Sequence, residues 1–116
     1  MIKKNKLIYK ICHKSEWEKA QNNGIFKGSS KDILDGYIHF SNKNQVKSTL
    51  NRYFLNKNKL VLIKVDTSKL KKLFWEKSSG GLTFPHLYSF LSINHVVSTY
   101  KIISGDDGKH VLPSNF

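Results

Sequence analysis

Three segments of this 116-residue chain carry the side chains best suited to chemistry. Asp35-Gly36-Tyr37-Ile38-His39-Phe40-Ser41 brings a phenol, an imidazole and a hydroxyl into seven residues. Glu76 closes the segment Lys72-Leu73-Phe74-Trp75-Glu76, and Phe84-Pro85-His86-Leu87-Tyr88 adds a second imidazole and a second phenol. Together they hold a carboxylate, two imidazoles and phenols, the usual set for moving protons near neutral pH. His39, Glu76 and His86 are therefore the candidate catalytic residues, expected to converge on one concave site. Tyr37, Ser41 and Tyr88 are expected to line it.

Alternation gives the first segment its logic. Side chains of a strand point to opposite faces in turn, so Ile38 and Phe40 face a core while Tyr37, His39 and Ser41 share the other side. Asp35-Gly36 is turn chemistry before the strand, and Ser41 or Asn42 can cap a helix after it. Pro85 drives Phe84 into an extended conformation, which puts Phe84, His86 and Tyr88 on one face. A polar strand face more often simply meets water, and only convergence in space turns such residues into a site.

Other chemistries find less support. The five histidines have no metal-binding spacing, and neither a dinucleotide fingerprint, a phosphate-binding P-loop nor a hydrolase elbow occurs, so no metal ligand set is assigned. The single cysteine, Cys12, excludes an internal disulfide; it reads as a buried strand residue more readily than as a nucleophile. Gly80-Gly81 would let backbone approach a phosphate. Arg52 is the one arginine among twenty basic residues, at a position suited to the planar fork that lysine lacks. Gly80, Gly81 and Arg52 thus join the candidate ligand-binding residues.

The elements that must position these groups follow in order. Leu7 to Cys12 reads as a strand, and Ser15-Glu16-Trp17-Glu18 as a capping box with Ser15 at the N-cap. Trp17 and Ala20 give that helix an inward stripe, and Gly24 ends it. Asp32 to Leu34 is expected as one helical turn. Val46, Leu50, Tyr53 and Phe54 recur at helical spacing, with Arg52 near the helix end. Leu60 to Val65, the most apolar run, reads as a central strand, residues 72–76 as another, and Val96 to Ile103 as the last. Ser78 to Gly81 and Gly105 to Gly108 are loops or turns. Short helices among five or six strands, without βαβ repetition, mean an α+β fold.

Length suits a single domain over 1–116 with its core at about 7–112. No apolar run approaches a membrane span, and Leu7 to Cys12, interrupted by Lys10, is too short for a secretory signal; the cytoplasm is the expected location. The net charge of +12 favours anionic ligands and makes nucleic acid a candidate partner. The lysines are nonetheless spread along the chain, as on a solvated surface.

In order and spacing, a series of motifs resembles the domain of unknown function 952 (DUF952) family of small bacterial proteins. It comprises Ile8-Tyr9-Lys10-Ile11, Trp17-Glu18-Lys19-Ala20, Gly28-Ser29, Asp35 to Ser41, Arg52-Tyr53-Phe54, Leu60-Val61-Leu62, Val65-Asp66, Trp75-Glu76, Gly80-Gly81 and Phe84 to Tyr88. The resemblance implies an ADP-ribosyltransferase-like fold, a split mixed or antiparallel sheet with short helices and a central cleft. It also implies a small nucleotide-like or phosphorylated ligand, with NAD as the candidate cofactor. A further likeness, to RNA 2′-phosphotransferases of that fold, rests on Tyr37-Ile38-His39-Phe40-Ser41. The chain departs from NAD-using members in carrying Lys10-Ile11-Cys12-His13 where they have His-Gly-Ser/Thr, and from the DUF952 pattern in placing Ser79 rather than arginine before Gly80. A small enzyme acting on a phosphorylated ligand and a non-catalytic ligand- or RNA-binding module are both consistent with these features.

Overall fold

The computed structural model of the protein describes residues 6–78 and 80–116. Residues 1–5, which include two lysines of the basic N-terminus, and Ser79 lie outside the described residues. The first half of the chain forms β1 (Leu7–His13), α1 (Lys14–Asn23), β2 (Ile25–Phe26), α2 (Ser30–Asp35), β3 (Ile38–His39) and α3 (Val46–Tyr53). The second half forms β4 (Leu60–Asp66), β5 (Leu73–Lys77), β6 (Thr83–Leu87), β7 (Leu91–Ser92), β8 (Val96–Ser104) and β9 (His110–Val111). Single 3-10 turns at Lys43–Gln45 and Ile93–His95 lead into α3 and β8. The fold is α+β, with antiparallel strands and few, short helices.

The largest sheet runs β1-β4-β8-β9. β4 holds its centre, as its apolar run predicts, paired with β1 from Leu7 opposite Asp66 to His13 opposite Leu60. Both faces of this sheet are covered. Ile8, Cys12, Ile63 and Val65 pack with Trp17 and Ala20 of α1 and with Ile38, Phe40 and Leu87. Tyr9, Ile11, Leu60 and Leu62 pack on the opposite face with Val46 and Leu50 of α3. Lys10 lies between Ile8 and Cys12 in sequence, so alternation points it into the apolar face, and it is buried.

A second sheet, β3-β6-β5, carries the chemistry-bearing segments. It joins the first through one bridge, in which the backbones of Tyr9 and Ser41 exchange two hydrogen bonds of 2.8 Å. That bridge covers the free edge of β1, which would otherwise expose a row of unpaired amides. Gln45 adds a tie by donating its side-chain amide to the Thr83 carbonyl at 2.8 Å.

Several expectations need correction. Asp35-Gly36 does form the turn before the strand, Asp35 ending α2 and Gly36 capping it in the left-handed region at φ 88°, but the strand expected through Ser41 is shorter, with regular pairing only at Ile38–His39. The alternation survives, since Ile38 and Phe40 are buried in the core and Tyr37 and His39 remain half-buried. Strands β2, β7 and β9 each span two residues, too few to leave an alternating signal. Ser15 is not the cap of α1 but its exposed second residue. The helix starts two residues earlier, with His13 at the N-cap, where the Glu16 carboxylate accepts the His13 amide at 2.9 Å. Asn42, one of the two caps expected for the next helix, does cap: its side chain accepts the Gln45 amide at 3.0 Å.

The two cap assignments predict different mutants. Glu16→Ala should cost about 1 kcal/mol through the unsatisfied His13 amide. Ser15→Ala should stay within about 0.5 kcal/mol of the parent, as an exposed helical substitution does. Urea unfolding of both variants distinguishes them, and a larger loss for Ser15→Ala would restore the earlier cap.

Candidate functional site

The site begins with a burial problem. An ammonium in an apolar face needs a counter-charge, and Lys10 finds it in Asp32, with Nζ 2.8 Å from Oδ2 and both side chains buried. Asp32 is placed there by the start of α2. Ser29 is the N-cap, its hydroxyl accepting the Asp32 amide at 3.2 Å while Asp32 Oδ2 accepts the Ser29 amide at 2.9 Å. Gly28 makes room, because a Cβ there would stand 2.7 Å from Asp32 Cβ.

The second oxygen of Asp32 turns to β3. Oδ1 accepts the His39 amide at 3.2 Å and lies 2.6 Å from His39 Nδ1. Burial pushes the Asp32 carboxyl up, but His39, Lys10 and the Ser29 amide outweigh it and hold the group well below the usual carboxylate range. The other ring nitrogen, Nε2, lies 3.2 Å from Asp35 Oδ2. His39 is thus clamped between two carboxylates.

His86 is the cross-strand partner of His39, since β3 pairs β6 with those two residues opposite each other. Its Nδ1 lies 2.8 Å from Glu76 Oε1 on the neighbouring β5, and the Tyr88 hydroxyl donates to the same oxygen at 2.6 Å. Glu76 is held below its ordinary value by the hydrogen bonds from Tyr88 and then His86. The same bond pushes the Tyr88 phenol up to about 12, so it remains a donor at neutral pH. Tyr37 ties the two imidazoles together. Its ring stacks on His86 with centroids 4.3 Å apart and tilts over His39 at 4.6 Å. The imidazole centroids themselves are 5.4 Å apart.

These rings face a cleft of about 710 Å³ whose wall includes Lys10, Tyr37, His39, Ser41, Arg52 and His86. The volume falls within the range of small-molecule sites. Among the candidates named from sequence, Tyr37, His39, Ser41, Arg52, Gly80 and His86 share this wall. Glu76 does not reach it; it stands behind His86. Tyr88 lines a separate, smaller pocket of about 220 Å³ with Tyr37 and Phe90. Gly81 lies outside the cleft wall, its amide closing a turn on the Ser78 carbonyl at 3.0 Å. Ser41 is half committed, its hydroxyl 3.1 Å from that of Thr49. Arg52 lies over Tyr53 and has no acidic partner among the described residues. Cys12 is buried, and burial pushes its thiol up to about 12, so it is not a thiolate nucleophile. Among the described residues no group of three or more His, Cys, Asp and Glu is arranged to hold a metal ion.

Sequence reasoning missed Lys10, Asp32 and Asp35. Signals for the first two were present: a lysine at an inward strand position, and Ser29-Ser30-Lys31-Asp32 with capping-box spacing.

Residues 11–99 match the family described as "Protein of unknown function (DUF952)", and the chain belongs to that family. The crystal structure of protein CC0527 from Caulobacter crescentus is 39% identical and covers 90% of this chain and 93% of its own, with a TM-score of 0.85. The solution NMR structure of CC0527 is also 39% identical, with 89% and 90% covered and a TM-score of 0.79. No curated protein matches the chain.

Asp32 yields two linked predictions. Asp32→Asn leaves Lys10 buried beside a neutral group and should cost about 3–5 kcal/mol. The folded carboxyl titrates below the unfolded one, so its stabilisation is complete above about pH 4 and lost as pH falls toward the folded value. Urea midpoints of the two chains should therefore converge as the pH is lowered below about 4; a constant gap would mean that the charge of Asp32 contributes nothing.

Proposed function

We propose that this DUF952 protein binds a small phosphorylated or nucleotide-like ligand in the cleft, with His86 as its acid–base group. The observation that carries this reading is the pair of carboxylate-braced imidazoles sharing one cleft wall with an arginine free of acidic partners among the described residues. Glu76 occupies Nδ1 of His86, and no described residue occupies Nε2. A carboxylate on one nitrogen orients the ring and stabilises its charged form when the other nitrogen takes a proton from a ligand. Glu76 is then a positioning residue, backed by the Tyr88 hydroxyl. His39, with both nitrogens facing carboxylates, orients the ligand, and Arg52 supplies a fork for phosphate oxygens.

The ADP-ribosyltransferase-like reading is supported by two antiparallel sheets, β1-β4-β8-β9 and β3-β6-β5, that both contribute to the cleft. Lys10 and His13 stand in its wall on the segment where NAD-using proteins of that fold carry His-Gly-Ser/Thr. NAD and ADP-ribose therefore belong among the first ligands to test. The net charge of +12 makes RNA a second partner class, for which non-specific contacts would weaken steeply with salt.

Thermal shift against NAD, ADP-ribose and mononucleotides tests the proposal, since a ligand preferring the folded state raises its stability. At least one should raise the melting temperature in proportion to the logarithm of its concentration. Arg52→Ala and His39→Ala should shrink the shift, and His86→Ala should keep binding while abolishing turnover. Binding without turnover in the parent chain would make the protein a ligand-binding module. No shift with any of them, together with RNA binding that survives physiological salt, would replace this reading with the RNA-binding one.

A further inference from the structure

The two carboxylates on His39 are held very differently. Asp32 is buried, with Lys10 Nζ at 2.8 Å and the Ser29 amide at 2.9 Å on one oxygen and His39 on the other. It cannot move without stranding a buried ammonium. Asp35 is the last residue of α2, and its side chain retains 29% exposure. Among the described residues its Oδ2 accepts from Lys31 Nζ at 3.0 Å and lies 3.2 Å from His39 Nε2. Lys31 is itself 64% exposed, and such surface contacts contribute little to stability. Asp35, Lys31 and His39 all belong to the wall of the cleft that also holds Arg52.

A lysine ammonium and an imidazole nitrogen that meet at one carboxylate oxygen form an oxyanion cradle when the ring carries a proton on both nitrogens, Nδ1 on Asp32 and Nε2 on the anion. We infer that Asp35 Oδ2 marks a phosphate subsite, held here by the chain's own carboxylate, and that a ligand phosphate displaces Asp35 to bind Lys31 and His39. The inference rests on the reading of the cleft as a site for phosphorylated ligands and specifies where the phosphate sits. A phosphate carries more charge and more acceptor oxygens than the carboxylate it replaces, and can engage Arg52 as well. Gly36 follows Asp35 directly, so the carboxylate stands at a helix end with solvent to turn into. Asp35 then acts as a gate on affinity: it satisfies His39 when no phosphate is present and competes with weak anions.

Titration with inorganic phosphate and with pyrophosphate, followed by calorimetry and by the ring resonances of His39, tests this. Asp35→Ala should bind both on the order of tenfold more tightly than the parent chain, because a competing like charge is removed from the subsite. Asp106→Ala makes the same change in net charge on the Gly105–Gly108 turn and should leave the affinity nearly unchanged. Lys31→Ala in the Asp35→Ala chain should reverse the gain. Asp35→Asn, which keeps the side-chain shape, guards against a folding artefact and should also bind more tightly. Phosphate binding to Asp35→Ala that is weaker than, or equal to, that of Asp106→Ala overturns the subsite. If nucleotides bind the parent chain and Asp35→Ala gains nothing, the subsite fails while the cleft reading stands. If phosphate tightens as expected but no nucleotide or ADP-ribose binds any variant, the subsite stands and the wider ligand reading fails.

Discussion

The buried ion pair between Lys10 and Asp32 is the constraint on which the site depends. Alternation along β1 leaves Lys10 no choice but the apolar face between Ile8 and Cys12. An unpaired charge there would cost several kcal/mol, so a carboxylate must meet it. Asp32 does so while also closing the cap of α2 and accepting two hydrogen bonds from His39. One side chain therefore couples the edge strand of the large sheet, the start of a helix and the first strand of the smaller sheet. Its four donors fully satisfy it, the condition under which a buried polar network rigidifies a fold rather than weakening it.

From that anchor the rest of the site is built by strand pairing. The Tyr9–Ser41 bridge fixes the height of the β3 segment against β1, and the register of β3 with β6 sets His39 opposite His86. Tyr37 fills the space between the rings, so neither imidazole can turn without disturbing the other. The two histidines nevertheless sit in different chemical settings. His39 faces a buried carboxylate at one nitrogen and a partly exposed one at the other, whereas His86 meets Glu76 at Nδ1 and no described residue at Nε2. Two residues of one type are thus set apart by their surroundings, the means by which like groups acquire different proton affinities. The Caulobacter protein shares this fold at 39% identity, with a TM-score of 0.85.

Much was legible in the sequence by itself because it rests on local periodicity. The α+β class, the central place of Leu60 to Val65, the inward stripe of Trp17 and Ala20 and the opposed faces of Ile38 and His39 all follow from alternation or helical spacing. The family was legible through a different signal, the resemblance of motifs that run through nearly the whole chain. What periodicity cannot carry is partnership between distant segments. Asp32 looked like an ordinary residue of a short helical turn, and nothing within a few positions indicates that a lysine 22 residues earlier requires it. Glu76 was recognisable as a candidate, but only the β5–β6 pairing shows that it braces His86 from behind instead of lining the cleft. The two-residue strands were decided the same way, by backbone groups seeking partners across the fold. Side-chain direction is set by the neighbours along the chain; the identity of a buried charge's partner is set by the cost of leaving that charge alone, and this cost is defined only once the tertiary structure has excluded water.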